Sequence, residues 1–102
     1  KPVDAAELAR TRLGLARLEM ALGHPTQAEG LYRQVLAEPA SDVSARASAL
    51  DGLGGVCLTR GQLPQAEQAF TEAMGAWEAA GQRVRAASTS NRLGDVWLAR
   101  WL

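Results

Sequence analysis

The residue types that carry out catalysis or bind metals are few in this chain and widely spread. His24 is the only histidine and Cys57 the only cysteine. A reactive thiol needs a nearby base or a positive environment, and a general base needs a partner that orients it. His24 instead lies between Gly23 and Pro25, with no Asp, Cys or second His nearby in the sequence. We therefore expect a turn or cap role for His24 and a small apolar role in the interior for Cys57.

Two further patterns resemble functional sites without fitting them. The segment DGLGG at positions 51–55 is similar to a phosphate-binding loop, but no predicted strand precedes it and it falls inside a predicted helix. Close packing of helices is the better explanation of its glycines. Glu67, Glu72 and Glu78 are typical of a solvated helix face, and one Cys with one His gives too few ligands for a zinc site. The sequence predicts no catalytic residue, no metal site, no cofactor and no enzymatic activity.

Composition and charge narrow the class of protein further. The 102 residues suffice for one domain, 1–102, and they are 47% hydrophobic and 22% charged, as in soluble globular proteins. Eleven basic residues balance eleven acidic ones, whereas a nucleic-acid-binding module or a polybasic membrane anchor has a basic excess. The chain has no run of about 18 apolar residues and no signal-peptide pattern. We therefore expect a cytoplasmic protein that binds neither nucleic acid nor membranes.

Glycines and prolines divide the chain into segments with apolar residues three and four positions apart, the spacing of helices. Gly23, Gly61 and Gly81 stand where helices should end, and Pro25 and Pro64 where the next should begin. No segment alternates with the period of a strand. An all-α fold of five helices is expected, with a buried face in the first helix made of Leu8, Leu15, Leu18 and Leu22. The expected bounds are Asp4–Leu22, Pro25–Ala37, the Ser41-Asp42 cap to Arg60, Pro64–Ala80, and Gln82 to the C-terminus.

An internal repeat organises these helices. A leucine followed by a small residue occurs at Leu15-Ala16, Leu53-Gly54 and Leu93-Gly94, with 38 residues from Ala16 to Gly54 and 40 from Gly54 to Gly94. Each of the first two pairs is followed at the same offsets by a turn glycine and by a second helix with a small, an aromatic and a small residue. The second-helix residues are Ala28, Tyr32 and Val35 in one unit and Ala66, Phe70 and Ala73 in the next.

This pattern resembles the tetratricopeptide repeat, whose two-helix unit has a Leu-Gly pair, a turn glycine, and an Ala followed by an aromatic residue. The resemblance covers residues 9–102 and implies a right-handed α-α superhelix of two and a half repeats, at 4–40, 41–81 and 82–102. The usual period is about 34 residues, so these units are longer and are similar to those of bacterial multidomain regulators. Arg12 and Glu19 stand where large apolar groups are usual, and Trp101 replaces the last turn glycine.

The resemblance also implies a ligand groove, because the first helix of each unit lines the concave surface of such arrays. A mixed groove with charges of both signs is expected, suited to a peptide or a partner helix. Some proteins with this repeat bind the terminal carboxylate of a chaperone through basic and amide residues. Leu13 and Gly55 stand at two of those positions here, so we do not expect a chaperone co-factor. The implied groove residues are Leu13, Arg17, Met20, Asp51, Gly55, Leu58, Asn91, Arg92, Asp95 and Leu98.

The C-terminal helix is expected to end in an apolar surface. We predict that Trp77 packs on this helix and that Trp97 lies in the core, while a homodimer could form through Val96, Trp97, Trp101 and Leu102. A finished cap is the alternative. Two functions remain open: a non-enzymatic protein-protein interaction scaffold, or a sensor segment of a larger bacterial transcriptional or signalling regulator. Ten Arg against one Lys is compatible with a GC-rich bacterial genome.

Overall fold

Five helices make up the computed structural model, which describes residues 4–39 and 41–102. No strand occurs among these residues, so the all-α fold class is confirmed. Positions 1–3 and 40 lie outside the described residues. All four belong to the predicted domain, and position 40 also belongs to the predicted first repeat. The helices are α1 (Ala5–Ala21), α2 (Pro25–Ala37), α3 (Val43–Thr59), α4 (Leu63–Ala79) and α5 (Arg83–Trp101).

Polar caps and prolines define where the helices begin. The Asp4 side chain accepts a hydrogen bond from the Ala6 amide at 3.0 Å, and Asp42 accepts one from the Ala45 amide at 2.7 Å. Each carboxylate satisfies an amide that has no partner inside its helix. Pro25 is the first residue of α2, as predicted, whereas α4 begins at Leu63, one residue before its proline.

Three identical turns end α1, α3 and α4. Gly23, Gly61 and Gly81 have φ angles of 81°, 72° and 73°, a backbone region that favours glycine. Each glycine amide and the next amide donate to carbonyls of the preceding last turn, for example Gly61 to Leu58 at 3.0 Å and Gln62 to Cys57 at 2.8 Å. The predicted turn glycines are therefore confirmed.

The helices pack in chain order, each against the next, and α1 also packs against α3. Since short connections join neighbours that pack together, successive helices run antiparallel, and α1, α3 and α5 run in the same direction. The radius of gyration of the Cα atoms is 13.4 Å, as expected for a compact chain of this length. None of the described helices is long and apolar enough to cross a lipid bilayer.

The second helices of the two repeats bury equivalent residues. The predicted small, aromatic and small positions are all buried in both α2 and α4. A Cβ atom added to Gly54 would lie 2.5 Å from the Phe70 ring, and one added to Gly52 would lie 2.2 Å from the Tyr32 ring. The close approach predicted at Gly54 is therefore confirmed. At Gly94, the equivalent residue of the third unit, an added Cβ would meet nothing within 4 Å, so the close approach is not repeated there.

The buried face of α1 differs from the predicted one. Leu15, Leu18 and Leu22 are exposed. The buried residues are Ala9, Leu13 and Ala16, which pack with the Tyr32 cluster of α2 and α3. The prediction failed because α2 and α3 cover only one side of α1. The three leucines lie on the other sides of the helix and face solvent.

The tryptophans of α4 and α5 have opposite surroundings. Trp77 is buried with Ala47 and Ala86, so its predicted packing on α5 is confirmed. Trp97, predicted to be in the core, is 54% exposed, while its neighbour Val96 is completely buried beside Phe70. Consecutive residues of a helix point ~100° apart, and α4 covers only the side of α5 that carries Val96.

Candidate functional site

A groove runs along α3 between α1 and α5, and we name it the α3 groove. It consists of two adjoining cavities of about 500 Å³ and about 280 Å³, which share Arg17, Ser48, Trp77 and Arg85 in their linings. The larger cavity begins at the amino ends of α1, α3 and α5. The lining of the two cavities together also includes Arg10, Leu13, Met20, Tyr32, Asp42, Ala45, Asp51, Gly52, Gly55, Gln82 and Arg92.

Six of the ten predicted groove residues line the α3 groove. Arg17, Met20, Asp51, Gly55 and Arg92 all line the α3 groove. Gly55 is buried and exposes no side chain: an added Cβ would lie 2.7 Å from the Arg92 guanidinium.

Leu13 lines the larger cavity but is also a buried member of the core. The other four predicted groove residues lie elsewhere, and among them Leu58 packs against the Phe70 cluster. Asn91, Asp95 and Leu98 line a separate surface with Trp101. At ~100° per residue, Asn91 is rotated by ~100° and Leu98 by ~120° from Arg92, so they cannot share its face of α5.

Two arginines of the groove, Arg10 and Arg85, were not predicted from the sequence. Arg10 lies seven residues before Arg17, and Arg85 lies seven residues before Arg92. Seven residues make almost two helical turns, so each pair occupies one helix face. This spacing was visible in the sequence, and it was the available signal for both missed residues. Trp77 and Ser48 had no comparable signal.

Asp51 binds the α5 side of the groove to α3. Its Oδ1 accepts a hydrogen bond from Arg92 at 2.8 Å, and its Oδ2 lies 3.1 Å from the hydroxyl of the fully buried Thr89. The Thr89 hydroxyl is also 3.0 Å from the Arg85 carbonyl. The Arg92 guanidinium lies 4.7 Å from the centre of the Phe70 ring. Asp51 is therefore already engaged by two groups of α5.

Trp77 forms part of the groove wall and leaves a polar group without a partner. Its side chain is almost completely buried, and its indole N–H has no hydrogen-bond acceptor among the described residues. The Arg85 guanidinium lies 5.1 Å from the centre of the ring, a cation-π distance. Buried donors normally have an acceptor, so this N–H is unusual.

Positive charge exceeds negative charge in the groove. Four arginines line it against two aspartates, Asp42 and Asp51, and both carboxylates are engaged in contacts of the fold. Among the described residues, Arg10, Arg17 and Arg85 have no carboxylate within ion-pair distance. The groove is thus basic, although the chain as a whole is neutral and a mixed groove was expected.

The pKa of Tyr32 reflects this environment. Burial raises the pKa of the Tyr32 hydroxyl, the nearby charges of Arg17 and Arg92 lower it, and Asp51 raises it. Burial has the largest effect. Tyr32 therefore stays protonated at neutral pH and lines the groove as a neutral phenol.

No protein-family model, curated protein or solved structure matches this chain. Its function is therefore inferred from its own residues.

The candidate catalytic side chains are placed apart from the groove. His24 lies in the turn after α1, as expected, and its Nδ1 is 2.9 Å from Glu19. Cys57 is half-buried against the Phe70 cluster, and burial raises the pKa of its thiol, which disfavours the thiolate. The described residues contain no group of three or more His, Cys, Asp or Glu side chains that could hold a metal ion.

A second surface, which we name the α5 outer face, is apolar. Trp97, Leu98, Trp101 and Leu102 are all more than half exposed and line one shallow cavity with Gly94. Val96, which was predicted to belong to this surface, is completely buried and is unavailable to a partner. The predicted self-association surface thus loses Val96 and gains Leu98.

Proposed function

We propose that this chain is a non-enzymatic protein-interaction scaffold, acting in the cytoplasm, that binds a peptide or a partner helix along the α3 groove. The observation that carries the proposal is a continuous groove with three arginines that have no carboxylate partner among the described residues. Charged groups without partners, lined up along a concave surface, are a typical feature of a binding site for an extended partner.

A tetratricopeptide-like right-handed superhelix is the architecture we propose for the scaffold. The equal burial of Ala28 and Ala66, and of Tyr32 and Phe70, supports a repeat of 38 residues. The parallel course of α1, α3 and α5 supports a concave surface made by the first helices. The same architecture would serve a sensor segment of a larger regulator, so the groove ligand decides between the two functions.

Selection from a random peptide display library tests the proposed function. We expect enriched peptides to bind the wild-type chain and to lose about tenfold in affinity with Arg17→Glu, since reversing a groove charge removes a charge-assisted hydrogen bond. Glu72→Lys is the control charge reversal, because Glu72 lies outside both the groove and the α5 outer face. Both positions are exposed, so the free energy of unfolding should change by no more than about 0.5 kcal/mol. Enriched peptides that bind Arg17→Glu as well as wild type would exclude the groove as the binding site.

We also propose self-association through the α5 outer face. Contiguous apolar patches of this kind usually mark interaction sites. Nothing lies within 4 Å of an added Cβ at Gly94, in the middle of the face, so a second copy of α5 can approach closely. Pairing of this face with itself about a two-fold axis buries it in both copies.

Sedimentation velocity across a concentration series tests the association. We expect the dimer to dissociate on dilution and to be lost in Trp101→Glu. Val84→Glu is the control, since Val84 is exposed on α5 but is not part of the outer face. A wild-type chain that stays monomeric at every concentration would contradict the proposal.

A further inference from the structure

We infer that the segment bound by the α3 groove is acidic, carrying carboxylates about 10 Å apart. This inference rests on the proposed function and adds the chemistry of the partner. It follows from the placement of the four groove arginines, from the small residues between them, and from the buried indole N–H that lacks an acceptor.

The arginines form two parallel rows. Arg10 and Arg17 belong to α1, Arg85 and Arg92 belong to α5, and both pairs are seven residues apart. At a rise of 1.5 Å per residue, seven residues span ~10.5 Å along a helix. Because α1 and α5 run in the same direction, the two rows repeat with the same spacing on both sides of the groove.

The floor between the rows is low beside Arg10, Arg17 and Arg85. There α3 contributes Ala45 and Ser48, whose side chains are too short to fill the space between the rows. Farther along the groove the Tyr32 ring lies against Gly52, and the Arg92 guanidinium lies against Gly55. The guanidinium groups of both sides can therefore reach a single peptide segment lying over α3.

Carboxylates match these rows better than other groups do. Arginine binds carboxylates through two parallel hydrogen bonds of fixed geometry. A peptide in the polyproline II conformation advances about 3.1 Å per residue and has three residues per turn, so its glutamates three residues apart recur on one side at ~9 Å, close to the spacing of each row. A basic or neutral segment would leave Arg10, Arg17 and Arg85 without ionic partners beside it.

Trp77 gives an independent indication of an acceptor. Its indole N–H is buried and lacks an acceptor among the described residues, and Arg85 covers its ring. A carboxylate that pairs with Arg85 brings acceptor oxygens close to the Trp77 ring. Binding should therefore change the surroundings of Trp77, which serves as an intrinsic fluorescent reporter.

Asp51 gives the inference its sharpest test. This carboxylate already occupies Arg92 at 2.8 Å, so it competes with an incoming carboxylate and repels it. Asp51→Asn keeps a hydrogen-bond acceptor for Thr89 and removes the charge. We expect this variant to bind acidic peptides several-fold more tightly, whereas a residue with only a structural role would leave affinity unchanged or weaken it.

The experiment uses three synthetic peptides of equal length, four repeats of Glu-Leu-Ala, Gln-Leu-Ala or Lys-Leu-Ala, with capped ends. The double variant Trp97→Phe/Trp101→Phe leaves Trp77 as the only tryptophan, and its fluorescence is titrated with each peptide. We expect the glutamate peptide to bind at least tenfold more tightly than the other two. Its affinity should fall about tenfold in Arg17→Gln or Arg85→Gln, and it should fall as salt is added. Glu72→Gln is the control, because Glu72 is exposed and lies outside both the groove and the α5 outer face.

Several outcomes would overturn the inference. The inference is wrong if the glutamine peptide binds as tightly as the glutamate peptide. It is also wrong if Arg17→Gln and Arg85→Gln leave the affinity unchanged, or if Asp51→Asn binds the glutamate peptide more weakly than the wild type does. A twelve-residue oligodeoxythymidylate that binds the same arginines as well as the glutamate peptide would identify a nucleic-acid ligand instead. If library selection yields non-acidic peptides that depend on Arg17, the acidic partner is excluded while the proposed scaffold function stands.

Discussion

Helices α3 and α5 occupy equivalent places in the repeat but have different surroundings. Leu53, Gly54 and Val56 of α3 recur forty residues later as Leu93, Gly94 and Val96 of α5. In α3 the glycine lies against the Phe70 ring of α4, whereas in α5 nothing lies within 4 Å of an added Cβ. The side of α3 that packs on α4 therefore corresponds to the exposed outer face of α5.

The difference shows that a repeat position determines which way a residue faces, while the neighbouring helix determines whether that residue is buried. Val56 and Val96 are both buried, because each faces a helix that is present. Cys57 and Leu58 are half-buried, but their counterparts Trp97 and Leu98 are 54% and 59% exposed. Substitutions at matched positions of the two helices can test this interpretation.

The largest expected difference concerns the aromatic side chains. Phe70→Ala should lower the free energy of unfolding by about 3–5 kcal/mol, because it removes a fully buried ring from the contact with Gly54. At protein concentrations where the chain is monomeric, Trp97→Ala should change it by less than about 1 kcal/mol, since more than half of that side chain is then in water. Urea unfolding followed by circular dichroism measures both values. Equal losses would mean that Trp97 is covered in solution.

A smaller effect, of opposite sign in the two helices, is expected at the glycines. Gly54→Ala should destabilise the chain by about 1–3 kcal/mol, because the new Cβ overlaps the buried Phe70 ring. At protein concentrations where the chain is monomeric, Gly94→Ala should stabilise it by about 0.5–1 kcal/mol, since alanine favours the helix and meets no neighbour within the chain. Thermal unfolding of both variants provides the comparison. Destabilisation by Gly94→Ala would show that another helix packs on this glycine. If the destabilisation disappears on dilution, that helix belongs to a second copy of the chain.

The parts of the fold that follow from local contacts were predictable from the sequence. Turn glycines and cap residues act on their own neighbours, so the helix bounds were predicted within two residues. The buried positions of α2 and α4 were also predictable, because both helices pack against helices on either side. Tyr32 and Phe70 therefore lie in equivalent surroundings, as the repeat indicates.

The outer helices and the groove were less predictable, for a common reason. Leucine is abundant on all sides of α1, and only the position of α2 and α3 selects Leu13 over Leu15 and Leu18 for burial. In α5, the ion pair of Arg92 with Asp51 shows which face meets α3. That contact joins residues 41 positions apart, so no local pattern could have separated Arg92 from Asn91.

The smallest expected effects concern an ion pair that recurs between neighbouring repeats. Glu29 of α2 binds Arg60 at the end of α3 at 2.9 Å, and Glu67 of α4 binds Arg100 of α5 in the same register. Glu29 also binds Arg33, and Arg60 donates to Thr26 at 3.0 Å. The first pair thus belongs to a larger network than the second.

Hydrogen bonds from Arg60 and Arg33 hold the pKa of Glu29 below its ordinary value of 4.5. A carboxyl group whose pKa is lowered by folding stabilises the folded state above its ordinary pKa, and this contribution is lost as the pH falls through the folded-state value.

We therefore expect Glu29→Gln to lower the free energy of unfolding at pH 7 by less than about 1 kcal/mol, as is usual for pairs near the surface. Glu67→Gln should lower it by less, since its network is smaller. Urea midpoints at pH 7 and pH 3 provide the measurement, with Glu78→Gln as an exposed control. The difference between wild type and Glu29→Gln should be smaller at pH 3 than at pH 7, because part of the Glu29 contribution is lost once the pH falls below the ordinary pKa of 4.5. A difference that is the same at both pH values would mean that the substitution acts through packing and that the carboxylate charge contributes nothing.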